Sequence, residues 1–181
     1  MIKIALQGLI ASGKSEVEKL LEKRFLVVDL DKVSNVILKN SKKVFEEFET
    51  FDKKKIASIV FYDSKKLLKL EGIIYPKLKQ YIIDLFKKHE KTPAVFVSGA
   101  LLYKEQFEGL FDKTIFVDAP YSLRLERLKQ RNGLNEAQAK KRMDCQVDKG
   151  KNQADFIIEN NSSIEELSKK LDSILLKLNL I

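Results

Sequence analysis

Cysteine and histidine are almost missing from this chain: Cys145 and His89 are the sole examples in 181 residues. A single cysteine excludes an intrachain disulfide, and one cysteine with one histidine argues against a Cys/His zinc site. Cys145 reads as a packing residue and His89, in a lysine-rich helix end, as a surface residue. No apolar run approaches the ~20 residues that span a bilayer, and the first residues enter an apolar stretch with no secretory-leader plan. These absences point to a reducing, cytoplasmic setting with no membrane partner. The basic stretches carry no interleaved aromatics, which argues against a nucleic-acid partner. Repeats and Gly-rich linkers are lacking, so 181 residues at 44% hydrophobic content predict one domain with a normal core.

What is present begins with charge. The net +8 favours anionic partners such as nucleotides, nucleic acid or acidic lipid. Lysines scattered over helix surfaces read equally well as ordinary solvation. The decisive stretch is Gly8-Leu9-Ile10-Ala11-Ser12-Gly13-Lys14-Ser15, a G-x-x-x-x-G-K-S phosphate-loop (P-loop) pattern. An apolar run, Ile2 to Leu6, precedes it, and Glu16 to Leu21 follows with helical spacing. Strand, glycine loop, helix is the context this motif needs. Gly8 and Gly13 permit backbone angles closed to other residues. Loop N–H groups and the helix N-terminus then face phosphate oxygens. Lys14 would reach the β- and γ-phosphates of ATP, and the Ser15 hydroxyl would ligate Mg²⁺.

Further strands are predicted at Phe25 to Val28, Ala94 to Val97, Thr114 to Val117 and Phe156 to Ile158. A lysine-rich helical block fills 32–91. Pro76 is expected to split it, one helix closing at Tyr75 and another running from Lys77 to Lys88. Leu101 to Phe107 reads as a short helix or loop, Tyr121 to Gln130 as a helix, and Asn135 as the cap of a helix reaching Gln146. Lys149 to Asn152 reads as a mobile polar stretch. Ser162 with Glu165 suggests a capping box for a last helix, with Ile164, Leu167, Leu171, Ile174, Leu175 and Leu178 as its buried stripe. The alternation predicts an α/β fold, a parallel five-stranded sheet of P-loop NTPase type with helices on both faces. Sites in such sheets lie at the carboxyl ends of the strands. The phosphate loop, Asp29-Leu30-Asp31, Ser98-Gly99 and Asp118 all fall there.

Two more groups carry chemistry. Asp29 and Asp31 follow the second strand at i and i+2, so both carboxylates can face the cleft. Phosphoryl transfer to an alcohol needs a base for the hydroxyl proton and Mg²⁺ to offset charge. Asp is also a favoured helix cap, and Asp29 fits that reading. Arg124, Arg127 and Arg131 share one helix face and Arg142 follows on the next helix. They read either as a phosphate clamp or as a solvated basic face.

On these residues the chain resembles the dephospho-CoA kinase family, within the P-loop nucleoside-monophosphate-kinase-like group. The resemblance rests on the P-loop, Val27-Val28-Asp29-Leu30-Asp31, Leu70-Glu71 with Pro76, and Leu101-Leu102. Arg127-x-x-x-Arg131, Arg142-x-x-x-Gln146 and the run from Ala154 to Asn160 complete it. It implies that MgATP phosphorylates the ribose 3′-hydroxyl of dephospho-CoA, giving coenzyme A and ADP. Asp31 then matches the catalytic base and Asp29 its partner, with Lys14 and Arg131 beside them. The nucleotide would be held by Gly8, Ile10, Ala11, Ser12, Gly13, Lys14, Ser15, Glu16, Arg127 and Arg142. The implied layout is a single kinase domain with its core at about 1–31, 92–131 and 153–181. Region 32–91 would be a helical acceptor-binding insertion and 124–152 a lid. The chain departs from the family at Leu9 and Ala11, which replace P-loop glycines. It departs again at Tyr75, where a His is usual, at Ala100 and Lys104, which replace a Pro and a Glu, and in a shorter segment between Gln146 and Ala154. Another P-loop small-metabolite or nucleotide kinase remains a rival, as does a P-loop module acting on nucleic acid or a protein. A monomer or small homo-oligomer is expected.

Overall fold

The structure is a computed structural model that describes residues 1–100, 102–144 and 150–181. The readings placed on Leu101, Cys145, Gln146 and Lys149 lie outside the described residues.

Strand β1 (Ile2–Gly8) is the middle of a five-stranded sheet with all neighbours parallel. On one side it pairs with β3 (Ala94–Ser98), which pairs with β2 (Leu26–Asp29). On the other it pairs with β4 (Lys113–Asp118), which pairs with β5 (Phe156–Glu159). The order β2-β3-β1-β4-β5 reverses direction around β1. The carboxyl end of β1 is therefore the topological switch point, where ligand sites of such sheets form.

Period-2 alternation sends each strand's side chains to two separate cores. Ile4, Leu6, Phe96, Ile115, Val117 and Ile158 pack under α1 (Lys14–Glu22) and α8 (Ile164–Lys177). Ala5, Val95 and Val97 face the opposite side. There α2 (Leu30–Lys39), α3 (Lys42–Phe48), α4 (Lys53–Tyr62) and α5 (Ser64–Lys88) cover them. A third, small core joins α6 (Tyr121–Asn132) to α7 (Glu136–Asp144) through Leu128, Ala139 and Met143. Ile10 and Ala11 of the glycine loop pack against it.

Three local expectations are corrected. Helix α5 runs unbroken through Pro76. A proline inside a helix costs ~3 kcal/mol, because it lacks a donor and its ring crowds the carbonyl four residues back. That residue is Gly72, beside which a side chain would meet only open space. Burial of Ile74, Tyr75, Leu78 and Ile82 around the break offsets the cost. The last helix is capped by Ser163, whose hydroxyl accepts the Glu166 N–H at 3.4 Å, one residue later than expected. Ile164 consequently leaves the buried stripe and is 45% exposed. Asn135 does cap α7, accepting the Gln138 N–H at 2.9 Å, while Gln138 accepts the Asn135 N–H at 3.2 Å.

Candidate active site

The turn after β1 opens a cleft of ≈ 810 Å³ at the carboxyl edge of the sheet. Its walls include the continuous stretch Gly8 to Glu16, together with Asp29, Asp31, Arg127 and Arg131. Every sequence-predicted site residue except Arg142 lines this one space. Arg142 lies on α7, exposed, and is absent from the cleft walls. Arg124 turns away as well. It is buried, donates from Nε to the Ala119 carbonyl at 3.1 Å, and lies 5.7 Å from the Tyr121 ring centre. Its part in an arginine arm is therefore replaced by a structural one.

The loop's special backbone angles fall at Ala11 and Gly13. Gly13 has φ +94° and Ala11 φ +61°, both left-handed. Gly8 serves another purpose: a Cβ there would sit 2.7 Å from both Ser12 Oγ and the Val117 carbonyl oxygen. Its missing side chain lets the loop fold back onto β4. Gly13 is the N-cap position of α1, so the first N–H groups of that helix open into the cleft.

Lys14 is engaged inside the protein. Its ammonium donates to Glu18 at 2.7 Å and to Ser98 Oγ at 2.6 Å, and Ser98 in turn donates to Glu18. Both ends of the ion pair are largely sheltered, at 18% and 13% exposure. Glu18 lies one helical turn after Lys14 and itself lines the cleft.

Asp29 caps α2: its Oδ1 accepts the N–H groups of Asp31 at 2.9 Å and Lys32 at 3.3 Å. The capping reading therefore holds for Asp29, and the cap fixes the first turn that carries Asp31. The Asp31 side chain meets water at the cleft mouth but is flanked by protein. That desolvation lifts its carboxyl above the ordinary value; Lys14 pulls the other way and Asp29 adds to the rise.

Arg127 reaches the Ser12 carbonyl oxygen with Nη1 at 3.5 Å, and Arg131 donates from Nε to Asn132 Oδ1 at 3.1 Å. Asn160, Ser162, Ile164 and Leu167 also line the cleft, none of them expected as site residues from the sequence. Asn160 directly follows β5 and lies next to the loop; a Cβ on Gly13 would collide with its amide nitrogen.

A glycine loop after β1, a pair of carboxylates after β2 and two arginines of α6 face one cleft, an arrangement suited to a small-molecule kinase. The family model described as dephospho-CoA kinase matches residues 2–166. The chain belongs to the dephospho-CoA kinase family. It is 35% identical to the dephospho-CoA kinase of Fusobacterium nucleatum, over 93% of this chain and 94% of that one. It is 31% identical to that of Helicobacter pylori, over 95% of each. Among solved structures, TT1252 from Thermus thermophilus superposes with TM-score 0.85 at 29% identity, covering 98% and 97% of the two chains. The dephospho-CoA kinase from Campylobacter jejuni does so with TM-score 0.63 at 27% identity, covering 97% and 96%. Shikimate kinases at 15–21% identity, such as that of Bacteroides thetaiotaomicron (16%, TM-score 0.60), share the fold. As a member of the dephospho-CoA kinase family, the chain is an ATP-dependent kinase of dephospho-CoA.

Within this dephospho-CoA kinase, two departures from the family pattern meet in space. Tyr75 donates its hydroxyl to Glu71 at 2.9 Å, and Lys104 also pairs with Glu71 while lying 5.1 Å from the Tyr75 ring centre. Burial, foremost, pushes the Tyr75 hydroxyl up to about 12, so it stays a donor. The group ties α5 to the segment following β3, which brings Ala100 to the cleft wall. Both residues thus share Glu71 as their partner.

Proposed function

We propose that this chain transfers the γ-phosphoryl group of ATP to the ribose 3′-hydroxyl of dephospho-CoA, giving coenzyme A and ADP, with roles as follows. The phosphate-loop amides of Gly8 to Ser15 and the first turn of α1 bind the phosphates. Lys14 exchanges Glu18 and Ser98 for the β- and γ-phosphates. Asp31 accepts the proton of the 3′-hydroxyl as its oxygen attacks the γ-phosphorus and the bond to the β-phosphate oxygen breaks. A carboxyl lifted from its ordinary value is a stronger proton acceptor and suits this task. Asp29, committed as the cap of α2, positions Asp31. Arg127 and Arg131 offset the negative charge of the transferring group.

Magnesium fits the donor set. Ser15 and the two aspartates supply hard oxygen atoms facing the same cleft. Among the described residues no cluster of three His, Cys, Asp or Glu forms a cage. The ion would be held by the Ser15 hydroxyl, substrate phosphates and water. When bound, Mg²⁺ supplies charge neutralisation on the phosphates.

The proposal extends to organisation. One kinase domain would hold the acceptor against the helical block at 32–91, with α6 and α7 as a lid. The enzyme would act in the cytoplasm as a monomer or small homo-oligomer, without nucleic acid. Among the described residues no helix is long and apolar enough to cross a membrane.

The observation that carries the mechanism is the shared cleft of Asp31, the phosphate loop and two lid arginines. Mass spectrometry of products from MgATP with dephospho-CoA, AMP, shikimate and gluconate in competition tests the reaction. Coenzyme A is expected as the dominant product; turnover of another acceptor alone would replace the substrate. Asp31→Asn should lower kcat by ~10²–10⁴ with ATP affinity largely kept, and an unchanged kcat would remove Asp31 as the base.

A further inference from the structure

The glycine loop contains a residue that resists its own conformation. Ala11 sits at φ +61°, where an L-residue with a Cβ is strained and persists only if its surroundings hold it. The next residue, Ser12, is fully buried, and its hydroxyl has no hydrogen-bond partner. The Ser12 carbonyl, by contrast, is gripped. Asn160 Nδ2 donates to it at 2.8 Å inside the protein, and Arg127 approaches only at 3.5 Å, the outer limit of a hydrogen bond. A carbonyl oxygen demands a donor, which fixes which end of the Asn160 amide faces it. Asn160 is itself anchored: it is 6% exposed, and its backbone N–H bonds the Asp118 carbonyl at 2.7 Å, tying it to β4.

We infer that Asn160 is a positioning residue for the nucleotide. Its amide holds the Ser12 carbonyl to the sheet edge and so keeps Ala11 left-handed, the shape in which the loop receives phosphate. Asn160 acts through the loop's conformation. Without that bond the strain at Ala11 is released, the competent loop becomes a fraction of the population, and ATP affinity falls by that fraction. Glycine at position 11 carries no such strain. The loss at Asn160 should therefore be repairable from residue 11.

The test is a two-by-two cycle of Asn160→Ala and Ala11→Gly, read by calorimetric titration with ATP and, separately, with dephospho-CoA. Asn160→Ala should weaken ATP binding about tenfold or more and leave dephospho-CoA binding within about twofold of wild type. Ala11→Gly should improve ATP binding several-fold more in the Asn160→Ala background than in wild type. Equal effects of Ala11→Gly in both backgrounds would overturn the inference and make Asn160 a direct nucleotide contact. Unaltered ATP affinity in Asn160→Ala, or a parallel loss of dephospho-CoA binding, would overturn it too. Asn160→Asp, the same shape but unable to donate, runs the same cycle if the alanine variant is insoluble.

Discussion

The wall of the cleft around β1 offers backbone: N–H groups of a glycine loop held by Asn160 and backed by the small α6–α7 core. The opposite wall, from α2 to α5, offers side chains: Asp31 on a capped helix start, and behind it the Glu71–Tyr75–Lys104 group. On the first wall Gly8 and Gly13 leave no room for a Cβ, while Leu9 and Ala11 stand where the family resemblance would place glycines. The second is held by side-chain partners, as Tyr75 and Lys104 are by Glu71. Its outer surface is also more open, with Phe61 54% exposed and touched by Lys141 of α7 at 5.6 Å from the ring centre. A phosphate loop works on any nucleoside triphosphate, so its geometry is fixed by the phosphates. The opposite wall presents side chains, so its chemistry depends on their neighbours.

The sharpest break of this contrast is Gly13→Ala. The new Cβ would collide with the Asn160 amide and sit at φ +94°. Loss of at least ~2 kcal/mol of stability and ~100-fold of ATP affinity is expected, seen by melting and titration. Normal ATP binding would show that the nucleotide wall adapts after all. On the other wall, Lys104→Ala leaves Glu71 partly buried with only Tyr75. A cost of about 1–2 kcal/mol follows, a Tm drop of roughly 2–8 °C. KM for dephospho-CoA should rise several-fold with KM for ATP unmoved; a rise in both would merge the two walls.

The smallest effect concerns Asp31 and has a defined sign. Its carboxyl titrates above its unfolded value, so its favourable contribution exists only at low pH and is lost as pH rises through the folded value. At pH 7 the charged group is a net cost. Asp31→Asn should therefore raise Tm by about 1–2 °C at pH 7 after allowance for solvent screening, with the gain fading toward about pH 4. A fall in Tm at pH 7 would mean that the ionised carboxylate stabilises the acceptor wall.

The same contrast explains what could be read from the chain. The strands, the phosphate loop and Asp31 are legible because each is a local pattern: apolar runs, a spaced glycine motif, a carboxylate after a strand. Pro76 misleads because a local breaking rule is outweighed by burial of Ile74, Leu78 and Ile82, which only the folded sheet supplies. Asn160 closes a run that carries the family resemblance, but nothing local marks its hold on the loop, since its partner Ser12 is 148 residues away. Glu18 had a signal, its one-turn spacing from Lys14, but an acidic residue on a helix ordinarily reads as solvated. Arg124 shares the spacing of Arg127 and Arg131, yet the Ala119 carbonyl and Tyr121 claim it.

Ile10 and Ala11 belong to the phosphate loop in sequence and to the small α6–α7 core in space. The α6–α7 pair is consequently not a cassette. A chimera that imports residues 121–144 from a relative while keeping this loop would leave a mismatched seam at positions 10 and 11. Exchange between homologues should succeed only when those two loop residues travel with the helix pair, so recombination libraries of this enzyme have a natural crossover rule written into the loop.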